Sequence, residues 1–388
     1  MRRAIAVVGL LATAAAVLPA QGTLSTQGLG YPGGQLSTRA RTMGGAAGEA
    51  DPLSPLNPAA LGMLLTPILG FQAEPEHREV TIGTQRVTSS VSRFPLFVGA
   101  LPLGTRWRVA LSASTLLDRT FQTTVQDTQD VGGDEVISSV TERSEGSITD
   151  VRLGVAYALT RWLSVGLGGH ALTGSDALST SRVFEDTVRF ATSSQRTSIG
   201  FGGNAISAGA LAMVSRVGAI GVSYRLGGSM NAYEGDEVVG SGRAPDHFGV
   251  SLLYLGIRGT TIGVRAARDE WSKLKGMTGA LNIHEDWDIG VGADVTGPRF
   301  AGSAIDLRAG ARWRTLPFSA SGNPVTEQTW SAGFMLPMGR LFGSTRAVEL
   351  NFGALRATRS SAGIPGPSGP VAVSEKSWII STGFSVRP

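Results

Sequence analysis

The sequence contains no cysteine, so disulfide bonds and thiolate chemistry are excluded. It also lacks long apolar runs. Apart from the extreme N-terminus, no stretch reaches the roughly 18 apolar residues that a transmembrane helix needs. A chain of 388 residues is nevertheless long enough for a sizeable core. The chain is therefore either soluble or in contact with lipid through strands rather than helices.

Charge of either sign is also scarce. The formal net charge is +4, and loss of Arg2 and Arg3 would lower it to about +2. An excess this small does not indicate binding to nucleic acid. Glycine, in contrast, is abundant: the 53 glycines are about twice the usual share.

Residues 1–20 have the three parts of a secretory signal peptide. Arg2 and Arg3 form a positive start, an apolar stretch runs from Ala4 to Val17, and Ala20 offers a small residue before the cut. The alternative is a short membrane anchor, but the apolar stretch is too short to span a bilayer. We expect a signal peptide at 1–20, followed by an irregular segment over 21–65 that is rich in Gly, Ser, Pro and Ala.

From residue 66 to residue 388, segments of about ten residues alternate between apolar and small or charged side chains. In the stretch 286–295, one face carries Trp287, Ile289, Val291, Ala293 and Val295. The other carries Asp286, Asp288, Gly290, Gly292 and Asp294. The same alternation occurs in 106–115, 148–159, 304–313 and 377–386. Because side chains alternate across a strand, each segment predicts a strand with one apolar face.

A soluble β-sandwich would show the same alternation, but three features favour a membrane barrel. Ten residues suffice for a tilted strand to cross a bilayer, whereas ordinary strands have five or six. Arg, Asp and Gly recur on the polar face, as a wet or plugged lumen permits. Aromatic residues lie near segment ends, where interfacial girdles would be: Trp107, Trp162, Trp313, Trp378 and Phe384.

The connections between segments alternate in length. Short turns are predicted near 104–105, 160–161, 216, 256–259, 298–299 and 339–345. Longer polar stretches are predicted at 75–91, 118–146, 173–203, 228–245, 270–284, 315–325 and 358–374, with possible further strand in 77–101 and 120–145. Thirteen connections predict an all-β, antiparallel transmembrane barrel of about fourteen strands. An even number places both termini on the short-turn side.

Residues 38–61 read TRARTMGGAAGEADPLSPLNPAAL. This run resembles the start of the mature chain in the outer-membrane long-chain fatty acid transporter family (FadL type), whose relatives include aromatic-hydrocarbon importers and the PorV-type shuttle protein. The detailed match covers about two dozen residues. The resemblance implies that the run forms a small hatch that plugs the barrel lumen, with the Asn-Pro-Ala of residues 57–59 at its inner end.

The residues of this hatch motif suit a compact plug: Gly44, Gly45, Asn57, Pro58 and Ala59. The two glycines permit close approach of the backbone and positive φ. Asn57 can cap a turn begun by Pro58, because its side chain can accept a backbone N–H. The alternative is a flexible periplasmic tail. The chain departs from the transporter family in having few long apolar runs on its inner faces.

Other motifs in the sequence carry little. The GLGYPG of residues 28–33 matches a dinucleotide-binding pattern, but no strand precedes it and Pro32 interrupts it. His284-Glu285 lacks the second histidine of a metalloprotease helix. The four histidines are scattered, no G-x-S-x-G occurs, and His170 is predicted to face the lumen or its rim. The sequence therefore predicts no catalytic residue, no metal site, no cofactor and no enzyme activity.

Residues and resemblance together predict a barrel of the bacterial outer membrane that binds or passes small hydrophobic molecules. Its expected partners are the lipid bilayer, the barrel-assembly machinery and a small hydrophobic ligand. One alternative is a non-transporting, PorV-like barrel that binds exported proteins or scaffolds the envelope. Another is a general diffusion porin, which would have an open polar channel and no hatch.

The signal-peptide prediction can be tested directly. We expect the mature protein to begin at Gln21, because the charged, apolar and small-residue regions end at Ala20. Intact-mass spectrometry of the protein extracted from membranes checks this. A mass that includes Met1 would contradict the prediction.

Overall fold

The structure, a computed structural model, describes residues 24–26, 28–82, 85–131, 134–186, 188–215, 217–278, 282–300, 303–319, 322–338, 347–366 and 369–387. The predicted signal peptide lies outside these residues.

Most of the described chain forms one antiparallel sheet that closes on itself, because the last strand pairs with the first. The strands are β1 (Ile68–Ile82), β2 (Gln85–Leu103), β3 (Trp107–Asp118), β4 (Phe121–Val131), β5 (Asp134–Ala158), β6 (Leu163–Phe184), β7 (Ser193–Val214), β8 (Gly218–Glu234), β9 (Glu237–Arg243), β10 (Asp246–Tyr254), β11 (Thr260–Glu270), β12 (Asn282–Ile283), β13 (Asp286–Phe300), β14 (Ser303–Leu316), β15 (Phe318–Ser319), β16 (Val325–Pro337), β17 (Ala347–Gly366) and β18 (Gly369–Arg387).

The wall has fourteen strands, as predicted. Strands β3 and β4 follow one another along one position of the wall, as do β9 and β10, while β12 and β15 form a separate short pair. In hydrocarbon every backbone N–H and C=O needs a partner within the protein, and closure through β1 and β18 supplies partners to what would otherwise be two free edges.

Helical elements are few and short. The N-terminal segment contains the 3₁₀ turns Leu24–Thr26, Gly48–Ala50 and Pro58–Met63 and the helix α1 (Thr38–Thr42). A 3₁₀ turn (Trp271–Leu274) and the helix α2 (Lys275–Thr278) follow β11. Within the described part of the chain, no helix is long and apolar enough to cross a membrane.

The strand faces agree with the alternation in the sequence. On β13, Trp287, Ile289 and Val291 are exposed, whereas Asp286 and Asp288 are buried. Exposed aromatics form two rings on the outer surface of the wall. The ring toward the long connections contains Tyr224, Phe248, Trp287, Trp313, Trp330 and Trp378. The ring toward the short turns contains Phe71, Trp107, Trp162, Tyr254 and Phe384. The exposed apolar band between these rings is the lipid-facing surface of a membrane-spanning barrel.

The long connections differ from the prediction, because most of them are strand rather than loop. Four hairpins continue past the aromatic ring with paired backbone: β1–β2, β4–β5, β6–β7 and β17–β18. Residues 228–245 likewise form most of β8–β9. Polar side chains predominate on both faces of these extensions, although Val80, Val136 and Val373 are buried. The extensions therefore lack the continuous apolar face that marks strands inside the membrane. The suggestion of further strand in 77–101 and 120–145 is confirmed.

Two turn positions need comment. The turn predicted at 298–299 is wrong by a few residues, since β13 continues to Phe300 after a register shift between Thr296 and Arg299. The shift accommodates the Gly-Pro of residues 297–298, because proline cannot donate a backbone hydrogen bond to the ladder. The turns predicted at 216 and 339–345 lie outside the described residues.

The orientation of the wall predicts how arginine substitutions will act. Val291→Arg should destabilise the barrel by about 2–4 kcal/mol, because it places a charge on the lipid-facing surface near the bilayer midplane. Val238→Arg is the matched control. Val238 is also an exposed valine, at 50% against 37% for Val291, but it lies in the β8–β9 hairpin beyond the aromatic ring. We expect little change there in reversible folding measured in lipid. Equal losses in the two variants would refute this assignment of the lipid-facing band.

Candidate functional site: the filled lumen and a seam in the wall

The N-terminal segment lies inside the barrel in recesses that inward-facing glycines create. A Cβ on Gly292 would lie 2.2 Å from the carbonyl oxygen of Met43, and one on Gly310 would lie 2.2 Å from the amide nitrogen of Gly44. On the opposite wall, a Cβ on Gly166 would lie 2.5 Å from the amide nitrogen of Ala59. Real Cβ atoms do not approach so closely. Because these inward-facing glycines have no side chain, they leave the space that the N-terminal segment occupies.

Gly44 and Gly45 form the sharp bend after α1. Their φ angles are +61° and +86°, a region that L side chains rarely adopt. Gly44 contacts the wall itself, since a Cβ on it would lie 2.4 Å from the carbonyl oxygen of Ala311. Both the conformation and the available space at Gly44 therefore exclude a side chain.

Asn57 joins the segment to itself and to the wall. Its Oδ1 accepts the amide of Ala59 at 2.9 Å, which caps the 3₁₀ turn begun by Pro58. Its Nδ2 donates to the carbonyl of Glu49 at 2.7 Å and to that of Ala210 on β7 at 3.1 Å. One amide side chain thus fixes the end of the segment against both the preceding turn and a strand.

Ion pairs hold the middle of the segment. Arg41 donates to Glu74 of β1 at 2.7 Å, and both side chains are at most 5% exposed. Glu49 is fully buried and accepts from Arg265 of β11 at 2.8 Å and from Ser251 of β10 at 2.7 Å. Removing one partner of a buried pair costs about 3–5 kcal/mol, because the other charge is left without compensation. These ion pairs therefore fix the position of the segment in the lumen.

Tyr31 anchors the part of the segment nearest the long connections. Three guanidinium groups lie over its ring, at 4.7 Å for Arg314, 4.8 Å for Arg359 and 5.2 Å for Arg93. Its hydroxyl donates to Glu327 at 3.0 Å and accepts from Arg359 at 3.1 Å. The ring faces of tyrosine attract cations, so one aromatic residue connects β2, β14 and β17.

A buried apolar cluster lies inside the barrel beside these anchors. Its members come from the N-terminal segment, from five wall strands and from the connections after β9, β11 and β14: Leu29, Leu116, Leu117, Ile148, Leu172, Phe201, Met230, Ala232, Ala244, Trp271, Leu274 and Phe318. A β-bulge between Thr115 and Leu117 interrupts the alternation of β3, and both consecutive leucines are buried as a result. The outer half of the lumen therefore contains a buried apolar cluster beside the charged groups around Tyr31.

The residues after β11 cover this cluster. Trp271 and Leu274 are at most 2% exposed, and the Trp271 ring meets Phe318 edge-on with centroids 5.8 Å apart. Polar contacts hold the cover in place. Lys273 pairs with Asp246, and this hydrogen bond raises the pKa of Lys273. Ser272 donates to Glu285 at 2.7 Å.

A seam opens in the wall next to the cluster. Strand β2 pairs with β3 only between Leu96↔Ser114 and Leu103↔Trp107. Beyond Ser114, β3 and β4 pair with β5, and β2 pairs with β1, with no ladder between them in the described residues. Inside the barrel, Tyr31 and Gly34 form single bridges with β3, and the Arg93–Asp118 ion pair spans the base of the seam.

Sequence reasoning missed this cluster and this seam. These apolar residues occur one at a time on strands with mostly polar inward faces or in connections. No continuous apolar stretch in the sequence therefore indicates the cluster. The bulge at Leu116-Leu117 was the available signal, since two adjacent leucines break a period of two. The sequence has few long apolar runs on its inner faces, yet the structure contains an apolar cluster, because the cluster is assembled from strands far apart in sequence.

The weaker motifs have structural roles. In the glycine motif of residues 28–33, a Cβ on Gly30 would lie 2.4 Å from the carbonyl oxygen of Asp118, so this glycine permits close packing. The backbone of His284 pairs with Pro317. No group of three or more histidine, aspartate or glutamate side chains suited to a metal ion occurs in the described ranges. His170 faces the lumen beside Asp150 and Ser207.

No protein-family model matches the chain, and no curated protein matches it by sequence. Solved structures do. A FadL homologue of Pseudomonas aeruginosa matches with a TM-score of 0.62 and 14% identity over 93% of this chain and 99% of that one. The monoaromatic hydrocarbon channel CymD matches with a TM-score of 0.53 and 14% identity over 93% and 97%. The Pseudomonas putida toluene transporter TodX matches with a TM-score of 0.53 and 12% identity over 94% and 99%.

The chain has the FadL-type fold. The resemblance suggested by residues 38–61 is thereby confirmed at the level of the fold, over nearly the whole chain.

The glycine recesses predict that a single methyl group disturbs the luminal segment. Gly292→Ala should cost about 1–3 kcal/mol through overpacking and raise the ionic conductance of single molecules in planar bilayers, because the new Cβ pushes against Met43. Gly169→Ala is the control, since nothing lies within 4 Å of its added Cβ. Equal conductance of the two variants would show that the recess is not needed to seat the segment.

Proposed function

We propose that this protein is a FadL-type barrel of the bacterial outer membrane that binds small hydrophobic molecules and passes them from its outer half toward the bilayer. The observation that carries this proposal is the contact between the apolar cluster and the seam. Leu116 and Leu117 belong to the cluster and lie on β3 at the point where its pairing with β2 has ended.

The depth of the seam supports a lateral route. Thr115 is eight residues from Trp107 of the short-turn ring. At roughly 3.4 Å per residue this is ~27 Å along the strand. A tilt of about 40° reduces it to ~20 Å across a lipid band about 25 Å tall. The seam therefore begins within the outer leaflet rather than above it, where a hydrophobic molecule can leave the lumen without entering water.

The luminal segment supports directed rather than open passage. We propose that residues 1–20 are removed on export and that residues 21–65 act as a hatch, with Gly44 and Gly45 at the bend and the Asn-Pro-Ala of residues 57–59 at its inner end. A general diffusion porin would need an open polar channel, which the seated segment and its ion pairs block.

The environment follows from the same features. An exposed apolar band between two aromatic rings suits a lipid bilayer, and closed strands of this kind occur in bacterial outer membranes. We propose insertion by the barrel-assembly machinery, since the wall is a closed antiparallel sheet. We propose a role without cofactor or nucleic acid.

Leu117→Asn should lower uptake of radiolabelled toluene or oleate by about tenfold or more in cells whose hydrophobic uptake depends on this protein. An amide buried without a partner costs about 1–3 kcal/mol, and 1.4 kcal/mol corresponds to a factor of ten. Leu117 is fully buried where the cluster meets the seam.

Val325→Asn is the matched control. Val325 is also fully buried, but it lies in a second apolar cluster with Leu24, Tyr31, Val80, Leu316 and Val373. We expect near-normal uptake with a similar loss of stability. If both variants lose uptake equally while heat-modifiable gel migration shows folded barrels, the first cluster is not the route. Normal uptake by Leu117→Asn would refute it outright.

A further inference from the structure

Three polar side chains from neighbouring wall strands form a connected relay in the lumen. His170 of β6 places Nδ1 2.8 Å from Oδ1 of Asp150 on β5, and its Nε2 lies 2.8 Å from Oγ of Ser207 on β7. These are the contacts that a serine nucleophile, a histidine base and an orienting aspartate require. The sequence gives no hint of them, because the three residues are 20 and 37 positions apart.

The relay is held rigidly. Gln35 of the luminal segment donates to Oδ2 of Asp150 at 2.7 Å, and Arg225 of β8 lies 3.6 Å from the same oxygen. The carboxylate of Asp150 is thereby fixed toward His170. The side chains of His170 and Asp150 are at most 2% exposed, and Ser207 is 5% exposed.

The relay lies directly below the apolar cluster. Ile148 is two residues from Asp150 on the inward face of β5, and Leu172 is two residues from His170 on the inward face of β6. Successive inward side chains on a strand are adjacent in space. An apolar molecule in the cluster would therefore have the serine and histidine at its inner end.

A guanidinium group with two nitrogens that lack hydrogen-bond partners in the described part of the chain lies near the serine. Arg152 is 2% exposed, and its Nε and Nη1 have no hydrogen-bond partner among the described residues. Gly168 leaves space between the two groups: a Cβ on it would lie 2.6 Å from Oγ of Ser207 and 3.3 Å from Cδ of Arg152. Donors without acceptors beside a nucleophile are suited to a developing oxyanion.

We propose that Ser207, His170 and Asp150 form a hydrolytic site for apolar carboxylic esters. Oγ of Ser207 attacks the ester carbonyl while His170 takes its proton, and Arg152 stabilises the oxyanion. The C–O bond of the leaving alcohol breaks as His170 returns the proton. Water, the second substrate, then attacks the acyl carbon and gives a proton to His170. The bond between the acyl carbon and Oγ of Ser207 breaks, His170 returns the proton to Oγ, and the carboxylic acid leaves. The site depends on the proposed function only for delivery of the ester through the cluster.

The test uses the full-length protein folded in detergent, so that it does not require transport. A small alkyl fluorophosphonate is the probe, and peptide mass spectrometry locates the label. We expect labelling at Ser207 and slow hydrolysis of a p-nitrophenyl acyl ester. Ser207→Ala should abolish both, and His170→Gln should slow labelling by about 100-fold or more, the usual contribution of a general base.

Ser223→Ala is the matched control. Ser223 is 1% exposed and faces the lumen from β8 without a hydrogen-bond partner among the described residues, so its loss should change neither rate. A relay that serves only to fill the lumen would leave Ser207 unlabelled in the native protein, and that result overturns the proposal whether or not the variants fold. Labelling that is unchanged in folded His170→Gln also overturns it. Loss of uptake in Leu117→Asn with normal labelling would separate this site from the transport route.

Discussion

The pairing of β18 with β1 is the constraint on which the rest of the structure depends. A sheet in hydrocarbon cannot leave an edge unpaired, so fourteen tilted strands must close on themselves. Closure fixes which face of each strand meets lipid and which faces inward. It also creates a lumen lined by every second residue of the wall, and outside the apolar clusters most of those residues are charged, small or polar. The N-terminal segment and its contacts with the wall fill that lumen.

The lumen is filled by pairing charge with charge and backbone with glycine. Glu49, Arg41 and Tyr31 on the N-terminal segment each meet partners on the wall. Buried pairs of this kind add little net stability over an apolar core, but breaking one is costly. They therefore specify where the segment sits more than they strengthen the barrel. The glycine recesses also specify the position of the segment, because a segment displaced by one residue would collide with the wall.

The seam and the apolar cluster differ from the rest of the barrel, in which neighbouring strands are paired and the lumen is filled by charged groups and backbone. Beyond Ser114 the regular ladder between β2 and β3 ends, and a bulge buries two successive leucines. Bulges are over-represented at the rims of barrels and next to active sites. The proposed route and the proposed hydrolytic relay are adjacent, since Ile148 and Asp150 lie on one strand. The barrel thus places an apolar cluster directly beside a group of polar side chains within one fold.

Much of the wall could be predicted from the sequence. The faces of β13 and β18 follow from a period of two, and the strand number follows from the spacing of turns. The tall hairpins were harder to predict, because polar residues on both faces of β4 and β9 resemble loop. From the sequence, Gly292 and Gly310 indicated only that the lumen has room at these positions. That Met43 and Gly44 occupy this room could not be predicted.

The sequence by itself determined the side-chain alternation, the glycine-rich segment and hence the kind of fold, because these depend on residues within a few positions of each other. Only the tertiary structure decided which partners meet. Arg359 reaches Tyr31 across 328 positions, and Ser207 meets His170 across 37. Such contacts follow from the register of strands that closure brings side by side, and a one-residue change of register would reverse every inward face. Local sequence carries no information about that register until the barrel closes.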